Sequence, residues 1–347
     1  MDNTSSLARE EHPHENSAHF LHSSVDSSSP RLPHAIAHRG FKGHYPENTL
    51  LAIEKAIEAG AHALELDLHI SRDGAVVLSH DPSLLRCFGV KTKVKDCDWE
   101  YLKTLRTLKA PHEPMPREHI WVLLDIKVRF PHLTSNQMFP VILISNFSLQ
   151  LSNDPSTIMD LIAKTIESVP MPATGPDWHK RVVLGCWSAR YLSARAQYLP
   201  RYAMSLICID VSYARQLLQV PGISFNINQK ILMGPLGRGF LEEARAARRQ
   251  VYVWTVNAPN MMRWCIRHGI DGVISDEPGL FREVCQQWEK EGTEGSVHPD
   301  PGIDRITLRQ RFEILATALF VICFGWLLKR KYAAPVERMG FEQHKAK

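Results

Sequence analysis

Between residues 34 and 290 short apolar runs alternate with helical patterns from end to end, and this alternation constrains the chain more than any other feature. The strand-like runs fall at 35–39, 62–69, 75–79, 120–127, 181–187, 202–209, 223–227, 250–256 and 271–275. Strands separated by helices build parallel sheets, since a parallel crossover needs a dozen residues or more. The second and third runs are joined only by Ser71-Arg72-Asp73-Gly74, a connection that predicts an antiparallel hairpin. Setting that excursion aside leaves eight parallel strands in a segment of about 250 residues, the dimensions of a TIM (β/α)8 barrel. Helix punctuation agrees: one helix starts after Asn48 and stops at Gly60, and another follows Pro259 and stops at Gly269.

Catalytic groups in such a barrel gather at the carboxyl ends of the strands. In His62-Ala-Leu-Glu-Leu-Asp-Leu-His-Ile70 the period of two puts Leu64, Leu66 and Leu68 on one face and Glu65, Asp67 and His69 on the other. Two inward carboxylates repel unless a cation or a shared proton compensates, and hard oxygen ligands suit one divalent cation, Ca²⁺ or Mg²⁺. The run Trp121-Val-Leu-Leu-Asp-Ile-Lys127 places Asp125 and Lys127 on one face, a third oxygen ligand beside a phosphate-sized cation. An internal ion pair is the alternative for either pair. The first strand ends in His38 and the hairpin ends in His80, so two imidazoles reach one rim, where acid and base roles suit them. Arg39 adds a planar fork suited to phosphate, and Trp254 either walls the pocket or fills the barrel core.

These residues resemble a family, the glycerophosphodiester phosphodiesterases of the phospholipase C-like phosphodiesterase superfamily. The resemblance rests on His38-Arg39-Gly40, Tyr45-Pro-Glu-Asn-Thr49, Glu65-Leu-Asp67, Asp73-Gly74, His80-Asp81, Asp125-Ile-Lys127 and Asp271-Gly-Val-Ile-Ser-Asp276. It implies a TIM barrel, a divalent cation held by Glu65, Asp67 and Asp125, and His38 and His80 as the acid–base pair. Asp125 stands where many members carry Glu, which keeps the charge and shortens the reach. Tyr45-Pro-Glu-Asn-Thr-Leu-Leu-Ala52, Leu124-Asp-Ile-Lys127 and Trp254-Thr-Val-Asn257, with an apolar C-terminal segment, look most like the fungal phosphatidylglycerol-specific phospholipases C. That likeness implies a glycerophospholipid substrate, phosphatidylglycerol cut to diacylglycerol and glycerol 3-phosphate. The competing readings are a phosphodiesterase of soluble glycerophosphodiesters, a lysophospholipase D, and a non-enzymatic scaffold on the same barrel. Loss of Glu65, Asp67, His38 or His80 would favour the scaffold, and all four are present.

The flanks differ in character. Residues 1–33 hold eight serines and four histidines with no apolar run, which predicts a disordered leader and no secretory signal. Residues 291–311 read as a linker, 312–331 as a hydrophobic membrane segment set apart from the barrel, and 332–347 as a polar tail. Ile314–Leu328 is free of charge, but a simple crossing wants about twenty apolar residues, so a re-entrant or interfacial anchor fits equally. Arg305, Arg309 and Arg311 balance Lys329-Arg-Lys331, which leaves orientation unreadable. A formal charge of +4, spread without clustering, excludes a nucleic-acid partner. Seven cysteines without a CxxC pair read as reduced thiols, so the expectation is an intracellular membrane-associated protein with its barrel facing cytosol; oligomeric state is not legible.

One stretch disagrees with the rest. Deleting 128–150 joins Leu124-Asp-Ile-Lys127 to Leu151-Ser-Asn-Asp-Pro155 with a usual loop length, so 128–150 reads as a retained in-frame intron or an inserted lipid-contacting loop. Just upstream, Pro111, Pro114 and Pro116-Arg117 run into the next strand without a helix, as if a segment were missing.

Overall fold

A computed structural model of the chain describes residues 32–115, 142–147, 154–169, 177–293 and 305–332. Nine strands form one sheet: β1 (His34–His38), β2 (Ala63–Ile70), β3 (Val76–Leu78), β4 (Ile142–Phe147), β5 (Val182–Cys186), β6 (Ala203–Cys208), β7 (Ile223–Asn228), β8 (Val251–Trp254) and β9 (Gly272–Ser275). All but β3 run parallel, in the order β1-β9-β8-β7-β6-β5-β4-β2, and β1 also pairs with β2, so the eight close into a ring. β3 lies antiparallel on β2 with Leu68 opposite Leu78, as the four-residue connection demands.

The period of two decides what faces where. Leu64, Leu66 and Leu68 enter the apolar layer between sheet and helices, while Ala63 joins Ile36, Val183, Ala203, Tyr252 and Ile274 in a separate cluster inside the ring. Glu65 and Asp67 share the Ala63 side and are buried within the ring, at 0% and 2% exposure. The filling there is tight. A Cβ on Gly272 would lie 2.7 Å from Ile36 and 2.9 Å from Tyr252.

The helices that face the sheet are α1 (Leu50–Glu58), α2 (Pro155–Glu167), α3 (Tyr191–Tyr198), α4 (Val211–Gln216), α5 (Gln229–Met233), α6 (Phe240–Ala246), α7 (Pro259–Arg267) and α8 (Pro278–Thr293). Their starts follow local chemistry: the side chains of Thr49, Asp154 and Asp210 accept first-turn N–H groups of α1, α2 and α4. Between β2 and β4 the hairpin excursion makes a small core of its own from Val77, Leu84, Val94, Cys97, Leu102 and Met115.

Two expectations need correction. The run at 120–127 does not hold the place between β2 and β5. That place belongs to β4, which sets Asn146 opposite Asp67 and Phe147 opposite Cys186. The reason lies in Val141-Ile-Leu-Ile144, whose β-branched residues suit a fully flanked strand better than the charged Leu-Asp-Ile-Lys. Residues 142–147, inside the 128–150 stretch, thus supply the strand at that place. Trp121–Lys127, with Asp125 and Lys127, lies outside the described residues, as do Pro116-Arg117, nearly all of the leader, residues 294–304 of the linker and 333–347 of the tail.

The second correction concerns the C-terminal segment. Leu308–Tyr332 forms α9, and it is not isolated: Ile314, Ala318 and Val321 are buried against the barrel, and Glu313 pairs with Lys230 of α5 at 2.9 Å. Among the described residues no helix is long and apolar enough to cross a membrane.

Candidate active site

The site begins where β1 ends. After His38 the chain turns through Arg39 (φ +57°) and Gly40 (φ +78°), and a Cβ on Gly40 would lie 2.7 Å from the Ala52 carbonyl carbon. Holding a non-glycine residue in the left-handed region costs about 1 kcal/mol, and Asn48 (φ +56°) repeats it opposite. The two are tied together. The Asn48 N–H donates to the Arg39 carbonyl at 2.9 Å, and the Asn48 amide donates to Asp67 at 3.0 Å.

His38 Nδ1 lies 2.5 Å from Asp276 Oδ1, just past the end of β9. Burial pushes the imidazole pKa below its usual value, and the Asp276 contact opposes that shift. Burial also works against the Asp276 carboxylate, but the His38 contact and the nearby Lys42 and Asn257 bring it down to about 2. An ionised carboxylate only accepts, so His38 donates from Nδ1 and leaves Nε2 for proton transfer. That Nε2 lies 3.9 Å from Glu65 Oε2.

His80 repeats the arrangement. Its Nδ1 is 2.7 Å from Asp81 Oδ1, and Asp81 accepts from Arg86 Nε at 2.6 Å. Burial acts against Asp81, but Arg86 and His80 hold it at about 2, so His80 likewise presents Nε2. The buried His69 donates from Nε2 to the His80 carbonyl at 3.2 Å and steadies that turn. Arg86 also grips Glu47 with both terminal nitrogens, at 2.7 and 2.8 Å, and Glu47 accepts from Arg39 at 2.8 Å. Arg39 Nε lies 3.1 Å from Asp67 Oδ2. A continuous chain of charged contacts, Asp67–Arg39–Glu47–Arg86–Asp81–His80, thus joins the second histidine to the buried acids.

Glu65 and Asp67 fit a hard cation as a donor set, being two carboxylates two residues apart with almost no solvent contact. Among the described residues no group of three or more His, Cys, Asp or Glu side chains is gathered as a metal site, and the third expected ligand, Asp125, falls outside them. Trp254 combines its two readings. It packs on the inner ring cluster, donates from Nε1 to the Asn226 carbonyl at 3.1 Å, and meets Trp187 edge-to-face at the mouth with centroids 5.7 Å apart.

A family model, the Glycerophosphoryl diester phosphodiesterase family, matches residues 38–280. The chain belongs to that family. Lysophospholipase D GDPD1 of Mus musculus is 46% identical over 280 residues, which covers 74% of this chain and 87% of the relative. A glycerophosphodiester phosphodiesterase of Bacillus altitudinis is 26% identical over 258 residues, covering 73% and 98%. In fold the chain matches an Oleispira antarctica phosphodiesterase solved with the product sn-glycerol-3-phosphate, with a TM-score of 0.59, 18% identity, and 74% and 97% of the two chains covered. This glycerophosphoryl diester phosphodiesterase is accordingly a phosphoric diester hydrolase.

Within the enzyme the structure brings His38, Arg39, Glu65, Asp67, His80 and Trp254 to one end of the barrel and leaves Asp125 and Lys127 outside the described residues. Sequence reasoning named Asp276, Glu47, Asp81 and Asn257 inside motifs but gave them no part, and it passed over Arg86. The available signal was placement: Asp276 follows a strand end, the same rule that picked His38.

Proposed function

We propose that the enzyme is a metal-dependent glycerophosphodiester phosphodiesterase that uses His38 and His80 as its acid–base pair. The observation that carries this is the repeated unit at one rim: two imidazoles, each with Nδ1 on an ionised carboxylate and Nε2 available, beside two buried acids. Nε2 of one histidine takes the proton of a glycerol hydroxyl, whose oxygen forms a bond to phosphorus as the ester bond to the leaving alcohol breaks. Nε2 of the other gives its proton to that departing oxygen. Water then opens the cyclic glycerol phosphate. Arg39, held in its left-handed turn by Glu47 and Asn48, presents its guanidinium to the phosphate oxygens. Glu65 and Asp67 hold the divalent cation, Ca²⁺ or Mg²⁺, which when bound neutralises them and draws charge from the phosphoryl oxygens.

The third ligand in this reading is Asp125, with Lys127 on the phosphate. β4 brings Asn146, not a carboxylate, into register with Asp67. A chain lacking 128–150 has only Trp121–Lys127 to fill that place, and is expected to be the more active form.

For substrate we favour phosphatidylglycerol, released as diacylglycerol and glycerol 3-phosphate, because the apolar helix α9 lies beside the mouth. A lysophospholipase D reading rests on the mouse relative's name. Both chains, full-length and shortened, incubated with phosphatidylglycerol vesicles, glycerophosphocholine and lysophosphatidylcholine, with and without chelator, decide between them. Chelator-sensitive diacylglycerol release supports the phospholipase C; choline release from the lyso-lipid moves the enzyme to the second class. No chelator-sensitive product from any substrate refutes the proposal.

A further inference from the structure

Over its described side chains α9 has one face against the barrel and large apolar residues exposed on either side of it. The docked stripe is Ile314, Ala318, Val321 and Gly325, spaced four, three and four apart along one line of the helix. It crosses the carboxyl edge of the barrel at three successive connections. A Cβ on Gly325 would lie 3.8 Å from Asp210, which follows β6; Glu313 pairs with Lys230 in α5, which follows β7; and Gln310 exchanges hydrogen bonds of 2.8 and 3.0 Å with Asn260, which follows β8. Three residues before Asn260, Asn257 donates to Asp276, the partner of His38. The helix therefore lies at the catalytic end of the ring, not at its floor.

A stripe that flanks it, Leu308, Phe312, Leu315, Leu319 and Ile322, stands 60% or more exposed throughout. Its spacing alone would suit a second helix. Phe320 and Phe324, however, are also exposed and lie about a third of a turn further round, where a two-helix seam does not reach. A lipid surface takes both stripes at once. The ends carry matching charge: Arg305, Arg309 and Arg311 precede the apolar stretch and Lys329-Arg-Lys331 follow it, which suits anionic head groups.

We infer that α9 is a monotopic membrane-docking helix, clamped across the mouth-side rim, that lies flat in an anionic lipid surface and turns the catalytic mouth of the barrel toward it. This deepens the lipid reading above, but its first test makes no use of catalysis. The full-length chain is floated with vesicles of phosphatidylcholine, with and without phosphatidylglycerol, beside F312E/L315E/L319E and, should that variant fold poorly, L315Q/L319Q. The expected results are flotation that is stronger with the anionic lipid, release by alkaline carbonate, and a loss of about tenfold or more in vesicle binding by the variants, which is about 1.4 kcal/mol or more. A chain that ignores vesicles overturns the inference, and so does one that resists carbonate, which would be a spanning segment. Self-association abolished by the same substitutions without flotation also overturns it, by assigning the stripe to a second copy. A318W, which wedges the docked stripe apart, is expected to keep vesicle binding and to lose about tenfold in phosphatidylglycerol hydrolysis relative to glycerophosphocholine; an unchanged ratio overturns the clamped orientation. Normal flotation from an enzyme inactive on every substrate would count against the catalytic reading alone.

Discussion

Two histidines sit at opposite ends of the same pair of strands. His38 closes β1 at the mouth, and His62 stands just before β2 at the floor. Burial lowers the pKa of both. The partners then separate them. His38 meets the Asp276 carboxylate, which favours its charged form, whereas His62 accepts the Ala35 N–H on Nδ1 at 2.8 Å and has Arg282 2.8 Å from Nε2, so its pKa falls to about 4. At the mouth the carboxylate opposes the effect of burial on the imidazole. The floor histidine is locked neutral as part of the frame. Burial alone therefore does not tell the two apart; the group placed on each ring's second nitrogen does.

The strongest break of this contrast is removal of the mouth imidazoles. His38→Ala or His80→Ala is expected to lower kcat by about 10³, within the usual range for a positioned acid or base, with the circular dichroism spectrum unchanged. His62→Ala should leave kcat near its original value wherever the protein stays folded. Next in size, Asp67→Asn is expected to cost about a hundredfold and to raise the Ca²⁺ or Mg²⁺ concentration needed for half-maximal rate, read by titration after chelation. An unchanged metal dependence removes Asp67 from the ligand set.

Asp276→Asn sharpens the comparison further. Losing the carboxylate removes the main influence that raises the His38 pKa, so the limb of the kcat/KM profile belonging to His38 should move to lower pH, with a loss of about tenfold to a hundredfold in rate. A profile that stays in place assigns that limb to another group. The smallest effect belongs to the floor. With a folded pKa of about 4 against about 6.5 when unfolded, His62 binds its proton first in the unfolded chain. Stability is therefore complete above about pH 6.5 and is lost as pH falls toward 4, by about 2 to 3 kcal/mol. His62→Asn, which keeps an acceptor for the Ala35 N–H, should flatten that part of the curve of Tm against pH.

Much of the fold was legible because its signal is local. The alternation in Ala63–Ile70 announced which side of β2 holds the acids, and Ser71–Gly74 announced the hairpin. β4 was not legible, since 121–127 and 141–147 are both strand-like and only pairing between β2 and β5 selects one. The same limit hid the partners of the histidines. Asp276 is 238 residues from His38, and Arg86 is 39 residues from Glu47.

The sequence by itself determined the alternating strands and helices, the faces of β2, the histidines at strand ends and the apolar C-terminal run, because each is a repeat within one turn or one pleat of backbone. Tertiary structure alone decided which run became β4, which carboxylate each imidazole touches, and that α9 crosses the mouth-side rim. Those outcomes depend on closing the ring of strands, which brings distant residues into register and leaves no trace in the spacing of neighbours along the chain.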